Sequence, residues 1–454
     1  RKPEKFEDRY FEIQEVGKGT FGSVVKAFDV CEAKFCLNMK YARKQERIEA
    51  IKSFIKPIMH DPQNFVAIKK LFYDRRYEQR ELATLAEIKQ QNLCKNIIML
   101  KDKHFQKVLE PITDKNRKQI KDFQIQGNHI VKEYLYLVTD FLPFTINDLK
   151  TELAANPPPF EPLLAVGPKP PVTLNFSLEV IRQVMYGVLC GLRDLHSIGI
   201  THRDIKLSNI LIDNDRYPVT QVKICDLGSS KKLVSDPSNE STQSISYIGT
   251  RSFRAPELLV GNKFYNTKID VWSAGIVFLK LLLNYVQVAP KPEANPSSPQ
   301  GSLGSQSSQN LNKRIFDVKD TKHLAKTIMH HFGEPTQEEL TEMLASNKLM
   351  SQGASKSGMT SQQLLAKRYR NLDLLIRDKV TPECLDLLHK IFEYSPKRRI
   401  SAQEAIEHKY FEPIRQQEQL KNLQKQSVFT KLSQVNRTTE TTSPCTSNMI
   451  NAKY

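Results

Sequence analysis

Four side chains in the middle of the chain have the types and spacing needed to move a phosphoryl group. Asp204 is followed two residues later by Lys206 and five residues later by Asn209, and Asp226 opens a separate Asp-Leu-Gly motif. A carboxylate can accept or orient a hydroxyl proton, and an ammonium group can neutralise a moving phosphoryl group. Amide and carboxylate oxygens at Asn209 and Asp226 suit Mg²⁺. The set therefore predicts phosphoryl transfer to a hydroxyl group.

A glycine-rich stretch near the start of the chain predicts where the phosphates would be covered. It has the pattern Gly-x-Gly-x-x-Gly and lies between two strands predicted in residues 10–30. A strand-to-helix setting would favour dinucleotide binding, whereas a strand-to-strand setting favours a flap over ATP phosphates. The predicted phosphate-contacting residues are Gly17, Lys18, Gly19, Thr20 and Gly22.

A lysine within an apolar strand requires a partner. Lys69 ends a Val-Ala-Ile-Lys run in the strand predicted at residues 64–72, and an unpaired buried charge is costly. The helix predicted at residues 76–93 offers Glu81. Lys69 could then hold the α- and β-phosphates while Glu81 orients it. Taken alone, a lysine at a strand edge and a solvated glutamate are the more ordinary interpretation.

The elements that must position these groups change in type along the chain. Strands dominate early and helices later, which predicts an α+β fold with a small sheet lobe before a helical lobe. Ser177 is the predicted N-cap of a helix over residues 177–197. We predict an N-terminal extension (1–9), a small lobe (10–142, with an insert at 31–62), a large lobe (143–415, with a Pro-rich insert at 154–172 and a disordered Ser/Gln-rich insert at 289–312) and a flexible polar tail (416–454).

Composition limits the class of protein. The 454 residues carry 67 Lys+Arg against 50 Asp+Glu, a net charge of +17. This excess favours acidic partners, but it is spread along the chain and is mostly typical of a solubilising surface. Because no base-stacking pattern accompanies it, nucleic acid is not expected as a direct ligand.

Cysteine usage and hydropathy indicate the compartment. The seven cysteines are scattered and odd in number, which indicates reduced thiols inside the cell, in the nucleus or cytoplasm. No apolar run reaches the length of a membrane span.

The motifs together resemble the eukaryotic protein kinase family over residues 10–415. The shared order is the glycine loop, Val-Ala-Ile-Lys, the helical glutamate, His-Arg-Asp, Asp-Leu-Gly and Ala-Pro-Glu at residues 255–257. The resemblance implies a two-lobed fold, in which a small antiparallel sheet with one key helix precedes a larger, mostly helical lobe. It also implies ATP and Mg²⁺ as cofactors and proteins as substrates.

Family resemblance also implies the nucleotide pocket and its supports. The implied adenine contacts are Val16, Val24, Ala67 and Leu211, with Thr139 as gatekeeper and backbone hydrogen bonds from Asp140 and Leu142. Asp270 would brace the catalytic loop. Glu257 and Arg399 would form a structural ion pair.

Two residues resemble those of serine/threonine kinases, namely Lys206 and Thr250, the latter expected to contact the catalytic aspartate. Arg251 resembles an arginine of the cyclin-dependent, mitogen-activated and glycogen synthase kinases. Tyr247 falls where some of these carry a phosphotyrosine, and Arg203 would pair with an activation-loop phosphate. The replication-initiating kinases of the cell-division-cycle type are a rival subfamily.

Three functional hypotheses follow. An active kinase is favoured, because every position that handles phosphate, metal or proton is filled, with an activating subunit or an upstream kinase as expected regulator. A pseudokinase scaffold would be expected to lack Lys69, Asp204 or Asp226, and none is missing. A chromatin-associated kinase recruited by its basic surface rests on charge alone.

Overall fold

A six-stranded antiparallel sheet forms the first part of the computed structural model. The structure describes residues 6–19, 22–30, 53, 64–74, 79–93, 95–113, 124–146, 149–150, 172–173, 177–213, 219–233, 248–288, 318–344 and 368–439. The strands of the sheet are β1 (Tyr10–Gly19), β2 (Gly22–Asp29), β3 (Phe65–Phe72), β4 (Leu100–Pro111), β5 (Gln124–Gln126) and β6 (His129–Asp140). They pair in the order β1-β2-β3-β6-β4, with β5 beside β6. The short helix α1 (Phe6–Arg9) precedes the sheet.

Strand register places the predicted nucleotide contacts on one face of this sheet. Val24 lies opposite Lys69 in the β2–β3 pair, and Ala67 lies opposite Thr139 in the β3–β6 pair. Because side chains alternate along a strand, Ala67 and Lys69 share a face, and their cross-strand partners share it with them. The sheet therefore aligns all four residues.

The helix α2 (Arg80–Gln90) packs against the sheet through the apolar side of its sequence. Leu85 and Ile88, one helical turn apart, are fully buried in a cluster that includes Leu135 of β6. Leu227 of the Asp-Leu-Gly motif is fully buried in the same cluster. This apolar cluster links the sheet to the segment that carries Asp226.

The large lobe is mostly helical. Its helices are α3 (Leu178–Ser197), α4 (Pro256–Leu259), α5 (Lys268–Val288), α6 (Thr321–Phe332), α7 (Gln337–Leu344), α8 (Arg370–Ile376), α9 (Pro382–Ile391) and α10 (Ala402–Glu407). Its short strands are β7 (Phe144–Thr145), β8 (Leu149–Lys150), β9 (Val172–Thr173), β10 (Ile200–Thr201), β11 (Ile210–Ile212), β12 (Val222–Ile224) and β13 (Lys231–Lys232). The predicted α+β, two-lobed class is confirmed.

Helices α3 and α5 form the centre of this lobe. The side chain of Ser177 accepts a hydrogen bond from the backbone N–H of Val180 (3.2 Å), so it caps α3 as expected. In α5, Trp272 is fully buried, and its ring packs against Phe332 and Phe392 at centroid distances of 5.6 and 5.1 Å. The rigid centre supports the loop between α3 and β11.

The C-terminal part of the chain corrects one prediction. The chain divides into two compact units, Arg1–Ile406 and Glu407–Tyr454, and the second contains helix α11 (Glu412–Thr439). The prediction of a flexible tail from residue 416 was therefore wrong for residues 416–439. This stretch is polar but rich in Gln, Lys and Leu, and it lacks Gly and Pro, so its helix propensity is high. Polarity alone was a poor guide.

Several predictions concern residues that the structure leaves outside its description. These are Thr20, Tyr247, almost all of the insert at 31–62, nearly all of the insert at 154–172, the insert at 289–312 and residues 440–454. Across the parts of the chain that are described, every helix is too short or too polar to traverse a lipid bilayer.

Candidate active site

Lys69 lies at the centre of a three-residue charge cluster between the lobes. Its ammonium nitrogen is 2.9 and 2.8 Å from the two carboxylate oxygens of Glu81 and 2.8 Å from Oδ1 of Asp226. Burial alone would lower the pKa of Lys69, but the two carboxylates outweigh burial and raise it. The lysine is therefore held as a cation, and its side chain remains 21% exposed.

Glu81 is the more deeply buried partner. It lies in the first turn of α2, and its side chain is 7% exposed. Burial raises the pKa of Glu81, with a smaller contribution from Asp226, while Lys69 acts in the opposite direction. The glutamate thus depends on Lys69 for its charge, and the position of α2 determines whether the pair can form.

Asp204 is the centre of a second hydrogen-bonded group. Oδ2 of Asp204 accepts from Lys206 Nζ at 2.6 Å, and Oδ1 accepts from both the backbone N–H and the hydroxyl of Thr250 at 2.8 Å. The amide of Asn209 donates to the backbone carbonyl of Asp204 at 2.9 Å. Burial raises the pKa of Asp204, but the hydrogen bonds from Lys206 and Thr250 outweigh it, so the net direction is downward. The carboxylate is held ionised.

Asp270, at the start of α5, holds the loop that carries Asp204. Its two carboxylate oxygens accept hydrogen bonds from the backbone N–H groups of His202 and Arg203, both at 2.8 Å, and His196 contacts it at 3.0 Å. Arg203 adopts a left-handed backbone with φ of 69°, which is unfavourable for a residue with a side chain. The buried carboxylate stabilises this conformation, as expected for the predicted brace.

Asp226 is also held in a strained conformation. Its φ is 63°, and its side chain is 39% exposed. The contact with Lys69 and the buried side chain of Leu227 fix it on either side. Strain of this kind concentrates at functional sites. The neighbouring Cys225 is not a nucleophile, because burial raises the pKa of its thiol to about 12.

Two side-chain oxygen atoms in the cleft suit a magnesium ion that is also bound by the phosphates of a nucleotide. No hydrogen bond within the described parts of the chain occupies Oδ2 of Asp226 or the amide oxygen of Asn209. Those parts also contain no cluster of three or more His, Cys, Asp or Glu residues able to enclose a metal. Because Mg²⁺ is usually bound through one or two protein oxygens plus substrate phosphates, this sparse set fits it.

The predicted adenine contacts lie on two sides of the cleft. Val24 and Ala67 lie on the sheet face described above, and Leu211 lies in β11 of the large lobe. Val16 in β1 is 47% exposed, whereas Leu142 is buried. The structure also places Gly17 and Gly22 in the β1–β2 pair; the side chain of Lys18 is not described.

Residues 248–254 are held against the loop that carries Asp204. Gly249 has φ of 73°, and a Cβ there would lie 2.4 Å from the carbonyl oxygen of Arg203, so only glycine fits. Arg251 donates to the carbonyl groups of Val318 and Lys319. These contacts fix Thr250 against Asp204.

Sequence reasoning missed one supporting residue in this segment. Arg254 donates to the carbonyl oxygens of Ile248 and Gly249, both at 2.9 Å, and so closes the turn around Gly249. Arg254 directly precedes the Ala-Pro-Glu motif. That position is the local sequence signal from which its contact with backbone carbonyl groups could have been predicted.

The predicted ion pair in the large lobe is also formed. Arg399 binds the two carboxylate oxygens of Glu257 at 2.6 and 2.9 Å, and both side chains are almost completely buried. The pair joins the first turn of α4 to a residue 142 positions later in the chain.

Comparison with known proteins agrees with this geometry. The family model of the protein kinase domain matches residues 52–411, which excludes the glycine loop. The chain is 28% identical over 362 residues to glycogen synthase kinase 3 of Trypanosoma brucei brucei, covering 78% of this chain and 77% of that protein. It is 26% identical over 405 residues to mitogen-activated protein kinase HOG1 of Chaetomium globosum, covering 89% and 79%.

The chain therefore belongs to the protein kinase family. It is a serine/threonine kinase, and its similarity to the glycogen synthase and mitogen-activated kinases agrees with the group indicated by Arg251 and the residues around it.

Proposed function

We propose that this kinase transfers the γ-phosphoryl group of Mg·ATP to serine and threonine hydroxyls of protein substrates. The observation that carries the proposal is the group around Asp204, in which one carboxylate contacts Lys206, Thr250 and Asn209 at once. A carboxylate held ionised beside a cation is suited to orient a hydroxyl and receive its proton.

Each residue of the group then has a distinct task. Asp204 accepts the proton of the attacking hydroxyl, and Thr250 fixes the carboxylate through two hydrogen bonds. Lys206 turns from Asp204 towards the transferred phosphoryl group and balances its charge. Such positioning and charge stabilisation account for most of the catalysis in phosphoryl transfer.

The nucleotide is held by the cluster on the opposite side. Lys69 contacts the α- and β-phosphates while Glu81 keeps its ammonium group in place. Mg²⁺, when bound, neutralises phosphate oxygens, and Asp226 and Asn209 are the residues that would hold it. Adenine contacts are proposed at Val16, Val24, Ala67 and Leu211, with backbone hydrogen bonds from Asp140 and Leu142. Gly17, Lys18, Gly19, Thr20 and Gly22 would cover the phosphates.

Regulation through the activation loop is part of the proposal. Partial burial lowers the pKa of Lys231, and the nearby positive charges of Arg203 and Arg80 lower it further. A phosphate added to the activation loop by an upstream kinase would be attracted to these three positive charges. Tyr247 remains a predicted phosphorylation site.

We also propose a boundary between the lobes at residues 142/143, an activating subunit, and a location in the nucleus or cytoplasm. The reducing compartment is proposed from the odd number and scattered positions of the seven cysteines in the sequence. Recruitment to chromatin by the basic surface would be compatible with kinase activity, but it rests on net charge alone.

The test is transfer of radiolabelled γ-phosphate from Mg·ATP to an oriented peptide library, with Asp204→Asn as the matched variant. We expect labelling of Ser/Thr peptides by the wild-type chain and a loss of about a thousandfold in the variant, in the range of general-base catalysis. Both chains should show the same melting temperature. Equal turnover by Asp204→Asn would refute the role assigned to Asp204, and ATP binding without transfer would favour a scaffold.

A further inference from the structure

A partly buried ion pair joins the end of β6 to the strand that precedes Asp226. Oδ2 of Asp140 lies 2.7 Å from the ammonium nitrogen of Lys223 in β12. The two side chains are 16% and 11% exposed. Lys223 is three residues before Asp226, and Asp140 is the last residue of β6.

The same carboxylate is tied to the backbone before β4. Met99 donates its N–H to Oδ2 of Asp140 at 3.0 Å, and Asp140 donates its own N–H to the carbonyl oxygen of Met99 at 3.3 Å. These two bonds form a closed ring between Met99 and Asp140. Because Lys223 binds the oxygen used by Met99, one atom is the meeting point of three segments.

Backbone hydrogen bonds continue this connection along β12. Ile98 donates to the carbonyl oxygen of Ile224 at 3.0 Å, and Ile224 donates to the carbonyl oxygen of Asn96 at 2.9 Å. The side chain of Asn96 donates to the carbonyl oxygen of Val222 at 3.0 Å. Segment 96–99 therefore lies hydrogen-bonded along β12, and the Lys223–Asp140 pair closes the end nearest β6.

We propose that the Lys223–Asp140–Met99 contact is a positioning device for nucleotide binding. It fixes the backbone of Asp140 and, two residues later, of Leu142, the groups proposed to bind adenine, relative to the strand that leads to Asp226. The inference rests on the proposed function, because it assigns a role in holding Mg·ATP. Lys223 acts through Asp140 and does not itself contact the reacting atoms.

Nucleotide affinity depends on how well ordered the adenine-binding backbone is before the ligand arrives. A backbone carbonyl and N–H bind a ligand well only if they are already oriented, because ordering them during binding weakens affinity. A partly buried lysine beside a partly buried carboxylate has few alternative positions, since separating them would leave two poorly solvated charges. The pair thus holds the β6 end in one conformation before the nucleotide arrives.

The contact predicts a specific kinetic signature. Lys223→Met should raise KM for Mg·ATP about five- to tenfold, as expected for loss of one ordering contact, with kcat changed less than about twofold. Lys223→Arg keeps the charge and should return KM to within about twofold of the wild type. Lys223→Met leaves the Asp140 carboxylate without its cation and should lower the melting temperature. The double variant Lys223→Met/Asp140→Asn removes both charges, so its melting temperature should recover while KM for Mg·ATP stays raised.

A second lysine–carboxylate pair, which also involves β6, is the matched control. Lys132 of β6 lies 2.7 Å from Oε2 of Glu110 in β4, and it is eight residues before Asp140 along the same strand. Lys132→Met should leave KM and kcat unchanged. If Lys132→Met and Lys223→Met raised KM equally, the effect would reflect general loosening of the sheet, and the proposal would be overturned.

The experiment separates this inference from the proposed function. ADP affinity is measured by calorimetry alongside phosphotransfer, so the inference has a readout that does not need turnover. If Asp204→Asn lost transfer and Lys223→Met changed neither KM nor ADP affinity, the positioning role would be refuted and the kinase assignment kept. If wild-type transfer were absent but Lys223→Met weakened ADP binding with rescue by Lys223→Arg, the positioning role would stand alone.

Discussion

The ion pair in the cleft and the Arg399–Glu257 pair of the large lobe use the same kinds of charge in different surroundings. Arg399 and Glu257 are 0% and 1% exposed and form two parallel hydrogen bonds. Arg399 also donates to the carbonyl oxygens of Glu393 and Lys268, and its guanidinium lies 5.1 Å from the ring centre of Trp272. Its donors are therefore used within the protein.

The pair in the cleft is open by comparison. Lys69 divides its contacts between Glu81 and Asp226 and is partly exposed. An ammonium group rotates easily and can exchange one carboxylate for a phosphate, whereas a fork of two hydrogen bonds is fixed. The comparison indicates that full burial and complete hydrogen bonding mark a structural pair, and that partial exposure with shared partners marks a pair available to a ligand.

Removing the lysine should affect chemistry far more than folding. We expect Lys69→Met to reduce kcat/KM by about a thousandfold, since a group that stabilises phosphoryl charge is lost. Stability should change little, because burial already raises the pKa of Glu81, and the glutamate can take up a proton when Lys69 is absent. Phosphotransfer assays and thermal melting measure the two effects, and a collapse in melting temperature would contradict the distinction.

Removing the arginine should have the opposite result. We expect Arg399→Met to lower the free energy of unfolding by about 3–5 kcal/mol, because it leaves Glu257 buried without its partner. Urea denaturation gives the change, and Arg399→Met/Glu257→Gln should be the milder variant. The control is Arg377→Met, whose pair with Asp373 is exposed and should be worth less than about 0.5 kcal/mol. Equal effects of both arginine variants would argue against burial as the cause.

Acid provides a test of the large lobe that does not involve either pair. Burial and the neighbouring His330 lower the pKa of His331 in α6 from 6.5 to about 4. The folded state therefore favours neutral His331, so its contribution to stability is complete above pH 6.5 and is lost as pH falls from 6.5 towards 4. His331→Phe should flatten the pH dependence of unfolding in this window, and the exposed His129→Gln should not. An unchanged slope in His331→Phe would rule out His331 as the source.

The side-chain cap of α3 gives the smallest expected effect on stability. Ser177→Ala removes the side-chain cap of α3 and should lower the free energy of unfolding by about 1 kcal/mol. Because α3 ends near the catalytic loop but its cap lies at the other end, KM and kcat should be unchanged. Denaturation with parallel kinetics checks this, and a change in kcat would show that the two ends of α3 are coupled.

The sequence was sufficient for the fold class and for naming the charged groups that meet in the cleft. Lys69, Asp204, Asn209 and Asp226 were identified by type and spacing, and the change from strands to helices predicted the two-lobed fold. The sequence was insufficient for α11, where polarity masked high helix propensity. It also did not predict β4, which is the last strand in the order of the sheet and pairs with β6. Strand and helix signals of that kind are weak until packing supports them.

Partner choice was decided by the tertiary structure. Helix α2 carries both Glu81 and Glu87, yet packing directs Glu81 to Lys69 and leaves Glu87 to pair with Lys232. Lys69 and Asp226 are 157 positions apart, and no local pattern encodes a contact across that distance. The Met99 contact with Asp140 is equally invisible, because any residue supplies a backbone N–H. The sequence determines which groups are available, and the packed lobes determine which of them meet.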